Sequence, residues 1–192
     1  RVIGGTERRF VERMASRRQT VPEQAFFVDC GVRYSGLPVT TISNLGWLEG
    51  ETVAILADGA EHAPRTVAGG SVTLDYPVSS AAIGLPVTAE MMTLPVAAGI
   101  EGLAQGRQKN VNAVWVRVSG SSTFSIGPSD DRLFDAKTRT FEAPGEPVAL
   151  FDGEVQVVLS PAWTDGGQFV VRHTAPLPLT VVSFTLDIAF GG

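Results

Sequence analysis

Histidine, cysteine and paired carboxylates carry most protein chemistry at neutral pH, and this chain offers few of them at useful spacing. His62 and His173 are its only histidines, and neither has a second histidine at metal-ligand spacing. His62 reads as a loop residue and His173 as the end of a strand, each in a surface or capping role. Cys30 is the single cysteine, so an internal disulfide or thiolate cluster is excluded. It reads as a small buried hydrophobe. Asp130, Asp131 and Asp135 form an acidic knot. Paired carboxylates serve glycosidases and calcium loops, but this spacing matches neither, and solvated loop charge is the expectation.

Two loops invite comparison with known devices. The run Gly99-Ile-Glu-Gly102-Leu-Ala-Gln-Gly106-Arg-Gln-Lys109 is glycine-rich like a phosphate loop. No Gly-Lys-Ser/Thr follows and no helix pattern opens after it, so it reads as a linker. The nucleophile-elbow pattern Gly-x-Ser-x-Gly is absent, and Gly120-Ser-Ser-Thr123 reads as a hairpin tip. Trp47, Trp115 and Trp163 have ring faces suited to stacking on sugars. Trp115 falls mid-strand and is expected in the core; Trp47 and Trp163 lie beside turns and are expected partly exposed. The expectation is therefore no catalytic, cofactor or metal site, and not an enzyme.

The elements that would position these residues are strands. Residues 1–18 alternate (Phe10, Glu12, Met14 against Val11, Arg13, Ala15), which favours a strand over a helix, and Val2-Ile3-Gly4-Gly5 reads as strand and turn. Residues 19–24 read as a loop with Pro22 as breaker. Strands are expected from Ala25 to Tyr34, ending at Ser35-Gly36, then from Leu37 to Ile42, Thr52 to Leu56, Val72 to Tyr76 and Ala81 to Val87. Asp58-Gly59 is a strong hairpin signal, and Pro77 is expected to end the fourth of these strands. Later strands are expected at Asn112–Val118, Phe124–Ile126, Val155–Leu159, Gln168–His173 and Thr180–Ile188, with residues 128–147 a polar excursion. Short strands between turn signals give an all-β fold of sandwich or barrel modules. A break near Gly99–Gly106 divides the chain into an N-terminal strand or linker (1–24), a first β module (25–100) and a second (101–192).

Composition agrees. Of 192 residues, 44% are hydrophobic and 18% charged, with 21 glycines and 12 prolines: enough for one sizeable core or two small ones, and rich in turns. No stretch approaches the roughly 20 apolar residues of a membrane helix, and no membrane partner is expected. The start at Arg1, with no signal-peptide pattern, suggests a soluble piece of a longer chain. Net charge is −5 but uneven. Arg1, Arg8, Arg9, Arg13, Arg17 and Arg18 crowd the first eighteen residues, and the remainder carries net −9. An acidic body argues against a nucleic-acid-gripping surface. The basic start suits docking on acidic neighbours.

Several segments carry a resemblance. Leu45-Gly-Trp-Leu-Glu-Gly-Glu-Thr-Val-Ala-Ile-Leu-Ala-Asp-Gly59 resembles the "LEGETV-x-x-LADG" segment in the C-terminal region of tail nozzle proteins, the tail tubular or stabilisation proteins of short-tailed (podovirus-like) bacteriophages. Thr66-Val-Ala-Gly-Gly-Ser-Val-Thr-Leu74 resembles the family's next strand, and Ile83-Gly-Leu-Pro-Val-Thr88 its "hxGLPYT". Gly102-Leu-Ala-Gln-Gly-Arg-Gln-Lys-Asn110 resembles "GTAQGKxKR", although Asn110 stands where the family often has a base. Leu177-Pro-Leu-Thr-Val181 resembles the closing "PLPLTV". Arg1-Val-Ile-Gly-Gly and Arg9-Phe-Val-Glu-Arg13 resemble the strand ahead of this region. Residues 119–150 do not align.

The resemblance implies a structural virion protein. It would be one subunit of a hexameric ring below the adaptor, extending the DNA conduit, retaining the genome and releasing it. It further implies a larger chain containing a β-propeller, adaptor and tail proteins as partners, transient passage of double-stranded DNA, and a place in the virion tail. Phe26, Phe27, Trp47, Met91, Met92 and Phe190 are candidates for a subunit contact, each read first as core. Glu49 and Glu51, or Asp130, Asp131 and Asp135, are candidates to face the lumen. The alternative reading is a carbohydrate-binding adhesin module of a phage tail.

Overall fold

The computed structural model of the chain describes residues 2–16, 21–96, 106–136, 138 and 146–191. They divide into two compact units: Arg1–Val87 with Phe141–Ala149 and Ala175–Pro178, and Thr88–Thr140 with Leu150–Thr174 and Leu179–Gly192. The all-β expectation holds, with 56% strand and 4% helix. The expected linker at Gly99–Gly106 lies, but for Gly106, outside the described residues.

The first unit opens with a small hairpin, β1 (Val2–Ile3) paired to β2 (Thr6–Glu7) across Gly4-Gly5. Residues 8–16 form no strand, which corrects the expected strand over 1–18. Alternation alone does not make a strand, because each backbone N–H and C=O needs a partner, and among the described residues no strand lies beside this segment. Pro22–Gln24 is one 3-10 turn with proline at its start. Four antiparallel strands follow, β3 (Val28–Ile42), β4 (Thr52–Ala57), β5 (Ala60–Thr66) and β6 (Val72–Pro86), in spatial order β3-β6-β4-β5.

The apolar runs of β4 and β6 follow from burial on both faces. Val53, Ile55, Ala57, Ala81 and Ile83 enter one core with Ile42, Leu45, Leu48 and Val72. The intervening Leu56 and Ala82 enter a second with Ala25, Val148 and Leu177. Ile55 and Ile83 are fully buried, each stabilising the fold by about 1.5–3 kcal/mol relative to exposure. The β4–β5 hairpin turns on Asp58-Gly59, with φ of 46° and 81°. Both turn positions need positive φ, which Asp-Gly tolerates. The Asp58 carboxylate also accepts the amides of Ser79 and Ser80, tying the turn to β6.

Two expected strand ends are internal features. Ser35-Gly36 lies inside β3, where pairing with β6 slips between Ser35 and Val39, so the glycine marks an irregularity within one strand. Pro77 lies inside β6 and has no registered partner on β3, whose pairing there passes from Val39↔Val78 to Thr41↔Thr73. Its missing N–H costs no ladder bond at that point.

The second unit is a two-sheet sandwich. One sheet has the order β10-β9-β12-β7, from β7 (Ala89–Met92), β9 (Ser125–Gly127), β10 (Phe134–Asp135) and β12 (Val170–His173). The other has β8 (Lys109–Ser121) between β11 (Phe151–Val158) and β13 (Val181–Phe190). Val114, Val116 and Val118 from one sheet meet Ile126, Phe169 and Val171 from the other side of the core. Phe169 and Phe184 pack edge-to-face at 5.1 Å. Both sheets have open edges, so the module is a sandwich; no closed barrel or propeller is found among the described residues. Sequence reading missed β7, whose Ala-Glu-Met-Met is poor in strand formers and exposed throughout. Pairing with β12, from Ala89↔His173 to Met92↔Val170, holds it in place.

Candidate interaction surfaces

The structure absorbs the reactive residue types into the framework. His62 is not in a loop: it lies on β5, 4% exposed. The Asp75 amide can only donate, so His62 Nε2 accepts it at 3.1 Å, and Nδ1–H donates to the Ala63 carbonyl at 2.7 Å. Asp75 also pairs with Arg65. His62 therefore stitches β5 to β6. The available signal was the alternation of Ala60 and His62 on one face. His173 ends β12, as expected, but it is buried and not on the surface, and its Nδ1 meets the Thr123 carbonyl at 3.0 Å. Cys30 is buried, as expected, at an irregularity of β3 with φ of 49°. Its carbonyl accepts the Trp47 indole N–H at 3.0 Å.

Glu12, Asp29 and Cys30 each bring one possible ligand atom within 4.8 Å of the others. The Asp29 carboxylate accepts the Cys30 amide at 3.0 Å, and all three residues have further partners. The group joins the N-terminal segment to β3. Lys109, in the glycine-rich run, is also buried, its ammonium donating to the carbonyls of Asp165 at 2.7 Å and Arg107 at 3.3 Å. Asn110 is buried beside it, accepting the Ala162 amide and donating to Asn112. The side chain at 110 thus holds a loop onto β8.

The acidic candidates do not form one cluster. Asp130 and Glu90 both pair with Arg172, at 3.4 and 2.7 Å. Asp135 lies on β10 and accepts the Ser125 hydroxyl. The Ser129 hydroxyl, then a backbone bond and Arg132, hold the Asp131 carboxyl below its ordinary pKa of 3.8. Glu49 is committed elsewhere: its two oxygens accept the Gly69 and Gly70 amides at 2.9 and 2.7 Å. Those glycines have φ of 58° and 66°, and the carboxylate caps the turn. Glu51 accepts the Gly4 amide at 2.7 Å.

The aromatic and apolar candidates divide differently from expectation. Trp115 is not core. Val114, Val116 and Val118 point into the sandwich, so Trp115 lies on the other face of the β11-β8-β13 sheet. Gln156 and Thr185 stand directly opposite it on the flanking strands. A mid-strand position fixes alternation but does not say which side is covered. Trp47 is half-buried against the first core, and Trp163 is exposed. Phe26 is half-buried on the second core of the first unit, whereas Phe27, Met91, Met92 and Phe190 are exposed and not core. In the N-terminal segment, Arg8, Arg9, Val11, Arg13 and Met14 are exposed. No protein-family model matches the chain, and no curated protein matches it.

Proposed function

We propose that this chain is a structural subunit of a bacteriophage tail, part of a nozzle ring that extends the DNA conduit and takes part in genome retention and release. The observation that supports this is the series of resembling segments in one order, beginning with Leu45–Gly59. That segment supplies β4, its Asp58-Gly59 turn and Glu49, which caps the Gly69-Gly70 turn of the next resembling segment. The resembling residues are thus framework residues, as a structural role requires.

The charge pattern is compatible with a conduit. Proteins hold DNA by neutralising phosphates with clustered Lys and Arg. The chain beyond residue 18 is instead net −9, and an acidic wall lets a duplex slide. Immunogold labelling of intact particles with antibody to the second unit tests the reading: label at the distal end of a short tail supports it, and label on the capsid or on no particle overturns it.

A second reading is favoured by one specific observation. Trp115 on an outer sheet face, between Gln156 and Thr185, offers a stacking ring flanked by hydrogen-bonding groups, the elements of a glycan-binding face. A glycan array separates the two: a strong hit abolished by Trp115→Ala favours an adhesin module, and a blank array favours the ring subunit.

A further inference from the structure

Three aspartates in this chain are followed by glycine: Asp58-Gly59, Asp152-Gly153 and Asp165-Gly166. Such a step can rearrange without an enzyme. The glycine amide nitrogen attacks the carboxyl carbon of the aspartate side chain, and no Cβ on the following residue obstructs the approach. Hydrogen bonds that hold the carboxyl in place, or occupy the amide, oppose the reaction in a folded protein. The Asp58 carboxylate accepts the amides of Ser79 and Ser80. The Asp152 carboxylate accepts the Ser119 hydroxyl and the Gly120 amide, which keep it ionised and below its ordinary pKa.

Asp165-Gly166 differs. It forms a bend between the bridge that joins Thr164 to Lys109 and the start of β12. Asp165 is exposed. Among the described residues, neither its carboxylate nor the Gly166 amide makes a hydrogen bond or ion pair. The Asp165 main-chain carbonyl, by contrast, accepts the Lys109 ammonium at 2.7 Å. A cation on that oxygen draws electrons from the peptide and acidifies the Gly166 N–H, the group that must give up its proton. The lysine itself is the second observation. It is 3% exposed, and its partners, the Asp165 and Arg107 carbonyls, are neutral. Among the described residues this buried ammonium has no countercharge, an unfavourable arrangement.

We infer that Asp165-Gly166 is a self-modification site, which rearranges through a succinimide to isoaspartate and delivers a carboxylate to Lys109. The Gly166 nitrogen bonds to the Asp165 Cγ. The Cγ–OH bond breaks, and the hydroxyl leaves with the amide proton as water. Water then opens the ring at the Asp165 α-carbonyl. The main chain now runs through the side-chain carboxyl, and the α-carbon keeps a free carboxylate. That carboxylate stands where Lys109 had a neutral carbonyl, so their contact becomes a charge-assisted bond. Opening at the other carbonyl restores aspartate and leaves Lys109 with neutral partners. The ammonium therefore favours isoaspartate over aspartate. The product fastens to β8 the loop that carries the exposed Trp163, whose neighbour Ala162 is already held there by Asn110. The step depends on these bonds and stands apart from the tail assignment.

Peptide mapping of the full chain after storage in heavy-oxygen water at neutral pH tests this, with fragmentation that separates isoaspartate from aspartate. Label marks both products of ring opening. In the folded chain, isoaspartate should accumulate at Asp165 several-fold faster than at Asp58 or Asp152. In urea the three steps should react at similar rates, because the fold no longer distinguishes them. Gly166→Ala should slow the reaction several-fold; its added Cβ first meets the Gln168 side chain, which can move. Lys109→Met keeps the apolar stem and removes the charge, so the ratio of isoaspartate to labelled aspartate at residue 165 should fall. The same ratio in the unaltered chain should be higher folded than in urea, which reads the lysine's effect even if that variant does not fold. Absence of isoaspartate at Asp165, equal accumulation at all three steps in the folded chain, or a product ratio indifferent to both Lys109→Met and urea overturns the inference.

Discussion

Glu49 shows how a residue that reads as surface charge can be structural. Its carboxylate caps the two amides of the Gly69-Gly70 turn, so Glu49→Ala should cost about 1 kcal/mol or somewhat more, read as a lower midpoint in urea denaturation. His62→Ala should cost more, about 1–3 kcal/mol, because it removes a buried imidazole and both of its hydrogen bonds, to the Asp75 amide and the Ala63 carbonyl. Thermal unfolding should show that loss, and any loss of function should disappear at temperatures where the variant stays folded. Asp152 supplies a pH-dependent contact. Its carboxyl is held below the ordinary 3.8 by the Ser119 hydroxyl and the Gly120 amide. A depressed folded pKa means that the contact is complete above 3.8 and is lost as pH falls through the lower, folded value. The Gly120 amide resonance should therefore titrate below pH 3.8, and Asp152→Asn should abolish that step. At this scale the sequence was partly legible. Cys30 falls where composition puts it, and His173 falls at its expected strand end, although buried. His62 and Trp115 did not, because alternation assigns residues to two faces without saying which is buried.

Among the elements, the strands with the strongest local signals were legible to within a few residues. Thr52–Leu56, Asn112–Val118 and Thr180–Ile188 are apolar or alternating runs bounded by turns, and they form β4, β8 and β13. The misses have one physical origin: strand identity depends on the neighbour. β7 exists because β12 pairs with it, residues 8–16 lack such a neighbour among the described residues, and Pro77 passes through β6 where pairing slips. Close backbone approach is equally invisible in sequence. A Cβ on Gly84 would lie 2.6 Å from the Asp29 carbonyl oxygen and 2.8 Å from the Gly31 Cα, backbone atoms that cannot rotate aside. Gly84→Ala should therefore force β3 and β6 apart and cost about 1–3 kcal/mol, checked by chemical denaturation. Gly46→Ala, where no atom lies within 4 Å of the added Cβ, is the control that should leave stability within about 0.5 kcal/mol.

For the whole molecule, charge distribution is the property that a conduit would use. A ring of identical subunits repeats whatever charge faces its axis. The Debye length near 8 Å at physiological salt means only groups close to the duplex act on it. Glu49 and Glu51 are committed to turns, and Asp130 to Arg172. Asp131 and Asp135, exposed on the excursion of the second unit, are the stronger candidates for the lumen. Asp131→Lys with Asp135→Lys should slow DNA ejection while leaving particles assembled, measured by dye release from single particles. The central claim is that this chain is a ring subunit lining a DNA conduit, and cryo-electron microscopy of the tail complex that contains it measures this directly. The account predicts density for both β units repeated about an axial channel wide enough for a duplex. Copies radiating outward with their Trp115 faces toward solvent and no continuous channel would contradict it.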